Sequence, residues 1–320
     1  MSSSSASYNS SSLRVLPRES SLAQEPTGNT FSVLTYNILA FPYVRVPGQE
    51  EWNGFQHCLE SDLDWEGSRA PALAAEIIRK CADVVCLQEC HFESRNGEWC
   101  LPVWTQALLE AGYEGIMQGL KQKDIEKNAL RNLRIVGKKV PTGVATFYRR
   151  AKFNLVAQES GQGMGIMLVL RAIQRQAKVA ICNMHLVGNP EKTDEQVCQL
   201  NSTIKALSKH FDAAWMICGD FNNGLAKGSQ LHQFLANEAQ LQILSDVELD
   251  KTYCGRPGEA FLCDHIVFSN TRLRPLAKTD ASLAPEEIAL GLPCMRLPLP
   301  CPSDHIAIGG VFEFLPFEEK

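Results

Sequence analysis

No stretch of this sequence approaches the roughly 20 consecutive apolar residues that a membrane-crossing helix requires; even the run from Val179 to Leu186 is interrupted by Asn183 and His185. No membrane partner is expected. Nor is there a surplus of positive charge, since 31 Lys and Arg stand against 36 Asp and Glu, a net −5. Long duplex nucleic acid is held through many phosphate contacts, so that partner is disfavoured and a short or small substrate fits better, a local basic strip excepted. Twelve cysteines occur, but there is no C-x-x-C pair, and no secretory signal peptide is visible or expected. Cys86 in VVCLQ, Cys182 in VAICNMHL and Cys218 in WMICGDF sit as small core hydrophobes. Structural zinc and a disulfide framework are set aside, and an intracellular, reducing compartment is expected. No internal repeat is found in it either, so solenoids and propellers are set aside and no leucine-rich-repeat arm for recruitment is expected.

What the chain does have is ordinary globular composition, 45% hydrophobic and 21% charged, enough for a sizeable core. At 320 residues it is long for one domain, yet α/β sandwiches reach that length as a single body. Residues 1–28 open with MSSSSASYNSSS and hold little to bury, so a disordered tail is expected ahead of one body spanning 29–320. Arg14 and Arg18, with no acid before Glu19, keep a mitochondrial address as the alternative to the cytoplasm.

Short apolar runs predict strands at Phe31–Ile38, Val84–Gln88, Val144–Arg149, Phe153–Ala157, Ile166–Arg171, Val179–Leu186, Trp215–Cys218, Leu262–Phe268 and Ile306–Phe314. Apolar spacing of three and four predicts helices at Ala70–Lys80, Pro102–Ala111 and Thr193–His210. Between Val144 and Leu186 the connections are too short for helical crossovers, so antiparallel pairing is expected there, and two packed sheets with outer helices follow.

The informative residues are polar ones that end or interrupt these strands, because a strand terminus is a rigid mount for chemistry. Asn37 closes the first strand in TYN, where a turn-forming Asn is the plain alternative. Glu89 follows the apolar run VVCL, a place where a carboxylate is costly unless paired or bound to a metal. Asn183 and His185 share a strand face by period-two alternation. Asp220 and Asn222 follow a strand in GDFNN, LCDHIVF sets Asp264 and His265 in an apolar strand, and CPSDHIAI sets Asp304 and His305 before the last one. A helix cap is the plain alternative for SDH. Counting Asn37 and Asn222, the set amounts to four carboxylates, two Asn and two or three His, with no nucleophile beside a base. Hard oxygen ligands suit Mg²⁺ or Mn²⁺, whereas zinc prefers Cys and His. Such a set suits hydrolysis of phosphate esters: the cation neutralises phosphate charge, Asn and His donate to its oxygens, and an Asp, or a His held by an Asp, readies a water.

The ordered series TYN, LQE, GVATFYR, NMHL, GDFN, CDH and SDH resembles the endonuclease/exonuclease/phosphatase superfamily of Mg²⁺-dependent phosphoesterases, from Phe31 nearly to the C-terminus. GVATFYRRAKFNLVAQES and LPCMRLPLPCPSDHIAI are similar to the 2′,5′-phosphodiesterase branch, beside the Ccr4-type deadenylases and nocturnin. The resemblance implies a DNase I-like four-layer α/β sandwich, two packed mixed β-sheets flanked by helices, working as a monomer on RNA or a short oligonucleotide. It implies Glu89 as the main ligand of Mg²⁺, with Mn²⁺ as a substitute, Asn37 in the metal shell, and Asp304 at the metal or a second metal position. It further implies Asp220 near the attacking water, Asn222 on a phosphate oxygen, His185 donating to the scissile phosphate, and His305 polarised by Asp264. The base is left open between Asp220 and His305.

Departures from that pattern bear on specificity. Met184 stands where the branch usually has Thr, and His265 where it has Tyr. Gly188 and Gln196 replace a Trp and a Lys of similar deadenylases, which is expected to weaken stacking and phosphate contacts and, with them, a poly(A) preference. The segment Ala40–Glu66, with Tyr43, Arg45, Trp52 and Trp65, is a candidate source of replacement groups. The expected activity is hydrolysis of phosphodiesters at RNA or oligoadenylate ends, as a 3′-exoribonuclease, deadenylase or 2′,5′-phosphodiesterase. One alternative is a small-molecule phosphatase acting on inositol phosphates or dinucleotides, for which Lys121, Lys123, Arg134, Lys138 and Lys139 are the available cations. Another, an abasic-site DNA endonuclease, is disfavoured by the charge balance. A non-catalytic binding module would tolerate loss of site acids, and none is lost.

Overall fold

The computed structural model describes residues 29–44, 59–119, 122–160, 165–189, 191–244, 252–256, 259–277 and 302–316. The expected tail 1–28, Arg45, Trp52, Lys121 and most of LPCMRLPLPCP lie outside the described residues. In chain order the strands are β1 (Thr30–Asn37), β2 (Val84–His91), β3 (Glu93–Arg95), β4 (Glu98–Cys100), β5 (Tyr113–Met117), β6 (Thr142–Arg149), β7 (Phe153–Ser160) and β8 (Gly165–Ala172). They continue with β9 (Lys178–His185), β10 (Ala214–Asp220), β11 (Gln242–Ile243), β12 (Tyr253–Arg256), β13 (Glu259–Phe261), β14 (Asp264–Phe268), β15 (Leu273–Ala277) and β16 (Ile308–Phe314). The α-helices are α1 (Glu60–Leu63), α2 (Ala70–Lys80), α3 (Gln106–Glu110), α4 (Gln122–Val136), α5 (Thr193–Leu207) and α6 (Gln230–Gln233). Among the described residues no helix is long and apolar enough to cross a membrane.

Every predicted strand forms, with ends shifted by a few residues. The helix α2 matches its prediction: Pro71 sits in its first turn, Leu73, Ala74 and Ile77 are buried, and Cys81 closes it in left-handed backbone at φ 58°. The helix predicted over 102–111 is divided instead, with a 3₁₀ turn at Val103–Thr105 ahead of the short α3, because the chain enters from extended Pro102. The prediction over 193–210 stops at Leu207. In α5, Gln196, Leu200, Thr203 and Leu207 form one buried stripe at helical spacing.

Two six-stranded sheets carry the architecture, in the orders β15-β16-β1-β2-β6-β5 and β11-β14-β10-β9-β8-β7. Each has one parallel pair at its centre, β1 with β2 and β9 with β10. The other pairings within these sheets are antiparallel. The inner faces meet through Phe31, Val33, Val84 and Val144 of one sheet and Leu168, Ile181, Met216 and Phe268 of the other. Outside, α2 and α3 cover the first sheet with Leu73, Ile77 and Leu108. Leu200 and Leu207 of α5 cover the second, completing a four-layer α/β/β/α sandwich. Fully burying each such side chain is worth about 1.5–3 kcal/mol, so docking of the layers dominates stability.

A polar link crosses this core. Gln88 Nε2 donates to Asn183 Oδ1 at 2.7 Å, and Asn183 Nδ2 donates to the carbonyls of Leu87 at 3.1 Å and Ala145 at 2.9 Å. Asn183 is thereby spent on joining the sheets. At one pole of the sandwich Phe314 N donates to Asn29 O at 3.0 Å and Asn29 Nδ2 donates to Phe314 O at 2.9 Å. At the opposite pole lie the C-terminal ends of both parallel pairs, carrying Asn37, Glu89, His185 and Asp220.

Candidate active site

Strands β1 and β10 end in the same way. Asn37 Oδ1 accepts the Leu39 N–H at 3.0 Å and Asp220 Oδ1 accepts the Asn222 N–H at 2.8 Å, local turns that stop each strand. Leu39 and Asn222 take left-handed backbone, at φ 48° and 50°. The remaining polar atoms then converge, Asn37 Nδ2 donating to Asp220 Oδ2 at 3.0 Å and to Glu89 Oε1 at 3.3 Å. One residue earlier, Gly219 lets β10 lie close against β9, because a Cβ there would lie 1.9 Å from the Met184 carbonyl oxygen.

Glu89 reaches the site through an irregularity. The register of β2 on β6 shifts between Leu87 and Cys90, and Glu89 itself sits at φ 56°. Left-handed backbone costs a non-glycine residue on the order of 1–2 kcal/mol. In return the carboxylate turns out of strict alternation and accepts the Ala40 N–H on Oε2 at 3.1 Å.

The second half of the site is built on β14 and the approach to β16. Asp264 opens β14 opposite Asp220, and its Oδ2 lies 2.9 Å from His305 Nδ1. Thr252 aligns the two elements: its Oγ1 accepts the N–H groups of Cys263 and Asp264 at 3.0 and 3.1 Å, and its carbonyl accepts the Ile306 N–H at 2.7 Å. The Tyr253 ring lies 4.7 Å from that of His305. With Nδ1 engaged, His305 Nε2 faces Asp220 Oδ2 at 3.8 Å and Asp304 Oδ1 at 4.0 Å. His185 Nε2 is 3.5 Å from the same Asp220 oxygen, and Asn222 Nδ2 donates to Leu186 O at 3.0 Å. The eight residues given roles by the resemblance are thus gathered at one pole, whereas Asn183 stays in the link between the sheets. His265 is not among them: strand alternation turns it away from Asp264, and its Nε2 contacts Asn223 O at 2.8 Å.

Electrostatics divides the acids. Burial opposes ionisation of Asp220, but the charges of His305 and His185 and the hydrogen bonds from Asn37 and Asn222 hold its pKa below the usual carboxylate value. Burial pushes Asp304 up to about 6, with Glu89 adding to the rise and His305 and Arg69 opposing it. For His305, burial favours the neutral ring, yet the charge and hydrogen bond of Asp264, with Asp220 and Asp304 behind them, raise its pKa to about 10.

Whether a divalent cation suits this chain is tested by the donor set. Glu89, Asp220 and Asp304 offer hard oxygens, Asp304 is pushed up partly by the Glu89 charge, and Asp264 Oδ1 is buried with no hydrogen-bond partner among the described residues. Such crowding is relieved by an oxygen-preferring cation, so the residues fit one. Asn37 enters differently from expectation, since its oxygen is taken by Leu39 and its nitrogen joins two carboxylates. The ligand atoms of Asp220, Cys263, Asp264 and His305 also lie within 4.8 Å of one another. That grouping suits a metal less well, because Asp264 and His305 already satisfy each other, and burial with the Asp220 and Asp264 charges raises the Cys263 thiol far above its ordinary pKa.

Several positioning residues escape sequence reasoning. Buried Arg69 donates from Nε to Pro302 O at 2.9 Å and from Nη2 to Ile38 O and Leu39 O at 3.0 and 2.7 Å, clamping the loop after β1 to the one bearing Asp304. Its guanidinium lies 5.2 Å from the Trp65 ring. Nothing in WEGSR marks this arginine as buried. Ser303 caps no helix; its Oγ donates to Asn37 O at 2.7 Å. Gln196 corrects an expectation, for it does not line a groove: fully buried, it donates to Val187 O and Phe221 O, both at 3.1 Å. Met184 is likewise engaged elsewhere, its sulfur accepting the Thr203 hydroxyl beneath α5. Gly188 does border the site, a Cβ there falling 3.8 Å from Asn222 Oδ1.

Comparison with known proteins agrees with this geometry. The profile of the Endonuclease/Exonuclease/phosphatase family matches residues 34–305. Human protein angel homolog 2 is 28% identical over 226 residues, covering 64% of this chain and 36% of the relative. The CCR4-Not complex 3′-5′-exoribonuclease subunit Ccr4 of Debaryomyces hansenii is 22% identical over 251 residues, covering 67% of this chain and 28% of that protein. This chain therefore spans about a third of the length of the curated relatives it matches. Among solved structures, ANGEL2, a 2′,3′-cyclic phosphatase, in complex with adenosine-2′,3′-vanadate, superposes with TM-score 0.65 at 20% identity, covering 89% of this chain and 96% of that one. The human Nocturnin catalytic domain with bound sulfate gives 0.60 at 19%, covering 90% and 94%. These likenesses establish the same fold.

Proposed function

Since this chain belongs to the endonuclease/exonuclease/phosphatase family, a family of phosphoric ester hydrolases, we propose that it hydrolyses phosphodiesters at the ends of RNA or short oligoadenylates, with residues 29–320 as the working unit. The observation that carries the reading is the meeting of Asn37, Glu89 and Asp220 within hydrogen-bond reach, beside the Asp264–His305 pair. Glu89, with Asp304, would hold Mg²⁺ or Mn²⁺. When bound, the cation supplies charge neutralisation on the phosphate and Lewis acidity at the scissile bond.

The remaining groups act on proton and phosphate. Asp264 holds the His305 ring through Nδ1, leaving Nε2 as a donor to a phosphate oxygen. His185 and Asn222 supply further hydrogen bonds from the opposite sheet. Asp220 accepts hydrogen bonds that favour its anion, from Asn37 and from the Asn222 backbone, which suits it to take the proton of an attacking water.

The RNA substrate class is supported by the relative Ccr4, a 3′-5′-exoribonuclease subunit aligned across about two thirds of this chain, and by the solved ANGEL2, a 2′,3′-cyclic phosphatase held with adenosine-2′,3′-vanadate. A panel assay in Mg²⁺ tests the reading against its rivals, using 3′,5′-oligoadenylate, 2′,5′-oligoadenylate, RNA ending in a 2′,3′-cyclic phosphate, abasic duplex DNA, NADP and inositol phosphates. Cleavage of one of the three RNA substrates is expected. Preferential cleavage of abasic DNA or of inositol phosphates would overturn the proposal, as would full activity in EDTA.

A further inference from the structure

Cations that look scattered in the sequence fall on one element. Along α4, Lys123, Lys127, Leu130 and Arg134 follow the spacing i, i+4, i+7, i+11, and all are exposed, with exposed Arg131 beside them. The opposite stripe, Ile125, Ala129, Asn132 and Val136, repeats the same spacing and is buried. Lys138 and Lys139 continue the exposed side just past the helix. Between residues 122 and 139, six Lys and Arg stand against Asp124 and Glu126, a local +4 in a chain whose net charge is −5.

The buried stripe fixes where the basic one leads. Tyr43 Oη donates to Asn132 Oδ1 at 2.9 Å, and Thr142 N donates to Asn128 Oδ1 at 2.8 Å, bolting α4 to the loop after β1 and to the start of β6. Lys138 Nζ lies 5.1 Å from the Phe41 ring centre, Phe41 stands edge-on to His91 at 5.1 Å, and the neighbouring Ala40 N–H is bonded to Glu89. The positive side of the helix is therefore continuous with the rim of the site.

We propose that the outer face of α4 is the track for the phosphate backbone of a single-stranded polynucleotide whose end lies in the site, an inference that rests on the reading of the chain as an RNA phosphodiesterase. At 1.5 Å rise per residue, Lys123 to Arg134 spans about 16 Å, long enough to face several successive phosphates of a strand. Exposed Leu130, within the stripe, offers an apolar step for sugar or base edges. An anionic membrane is also attracted to basic helices with exposed leucines, but the stripe here ends at a phosphodiesterase-type site and the helix is fixed against the body along its whole buried side.

The test reverses charge at three exposed positions together, Lys123→Glu, Lys127→Glu and Arg134→Glu. A matched control reverses Arg79, Arg175 and Lys205, exposed on other elements. The probe is a 20-nucleotide oligoadenylate, bound without divalent cation over a series of KCl concentrations, with melting curves to verify folding. Counterion release from single strands contributes about 0.7 per phosphate contact, so the slope of log affinity against log salt should become shallower by about 2 in the α4 variant and much less in the control. Equal slopes in the two variants would overturn the proposal. So would an unchanged oligoadenylate slope accompanied by lost binding to phosphatidylserine vesicles. A wild-type protein that binds the strand with the steep slope yet never cleaves RNA in Mg²⁺ would instead overturn the assigned activity and leave the track standing.

Discussion

Asn37 and Asp220 lie 183 residues apart in the chain and 3.0 Å apart in space, the amide that ends one sheet donating to the carboxylate that ends the other. Neither sheet alone holds both. Assembly of the site and docking of the sandwich are therefore one event, and activity should disappear with the inter-sheet core.

Glu89→Ala is expected to abolish turnover while leaving the melting temperature unchanged or higher, because it removes the charge that helps push up Asp304. A ligand at 100 times its Kd stabilises a protein by about 2.7 kcal/mol, so the wild type should melt later in Mg²⁺ and the variant should not. Near-normal turnover of the variant in limiting Mg²⁺ would remove Glu89 from the metal site.

Asp264→Asn should lower kcat about 10²- to 10⁴-fold with little change in KM, since an Asp that orients an imidazole acts on the chemical step more than on binding. The measurement is steady-state kinetics on whichever RNA substrate the panel identifies. An unchanged kcat would dissolve the Asp264–His305 pair as a working unit.

Gly188→Trp places a ring beside Asn222, where a Cβ meets nothing closer than 3.8 Å. One added stacking partner is worth about 1–3 kcal/mol, or roughly one to two decades in affinity. Long oligoadenylate should gain more than a dinucleotide. Equal gains on both, measured by competition binding, would refute stacking at this position.

His91 makes stability depend on pH. It is 5% exposed, and burial lowers its pKa to about 4 against a weak opposing pull from Glu93. Unfolded, the ring titrates near 6.5, so between the two values the unfolded chain binds more protons. Stability from this group is complete above about pH 6.5 and falls by about 3 kcal/mol as pH drops to about 4, then levels off. Urea unfolding at pH 7, 5.5 and 4.5 should show a shallower pH slope for His91→Gln than for the wild type. Identical slopes would place the dependence elsewhere.

The strands are legible in the sequence because their apolar runs are short, uniform and ended by polar residues such as Asn37 and Asp220. The site residues are legible for the same reason, each being a polar group where an apolar one would pack. Helix α4 is not, since Ile125, Ala129 and Val136 are diluted by six Lys and Arg within and just beyond it, and Asn132 serves its buried side through hydrogen bonds. The bulge that aims Glu89 leaves no trace in composition, because it depends on how β2 meets β6. Gln196 misleads for a related reason: an amide within a helix reads as surface until the carbonyls of Val187 and Phe221 are brought to it. The burial of Arg69 is likewise created by two distant loops that supply carbonyls.

Asn29 and Phe314 are hydrogen-bonded to each other at the start of β1, and the eight residues of that strand carry the chain about 26 Å, at about 3.3 Å per residue, before Asn37 is reached. Residues 29 and 314 thus share one patch of surface on the pole opposite the chemistry. A support attached through a cysteine engineered at either residue would present the catalytic mouth outward to solution.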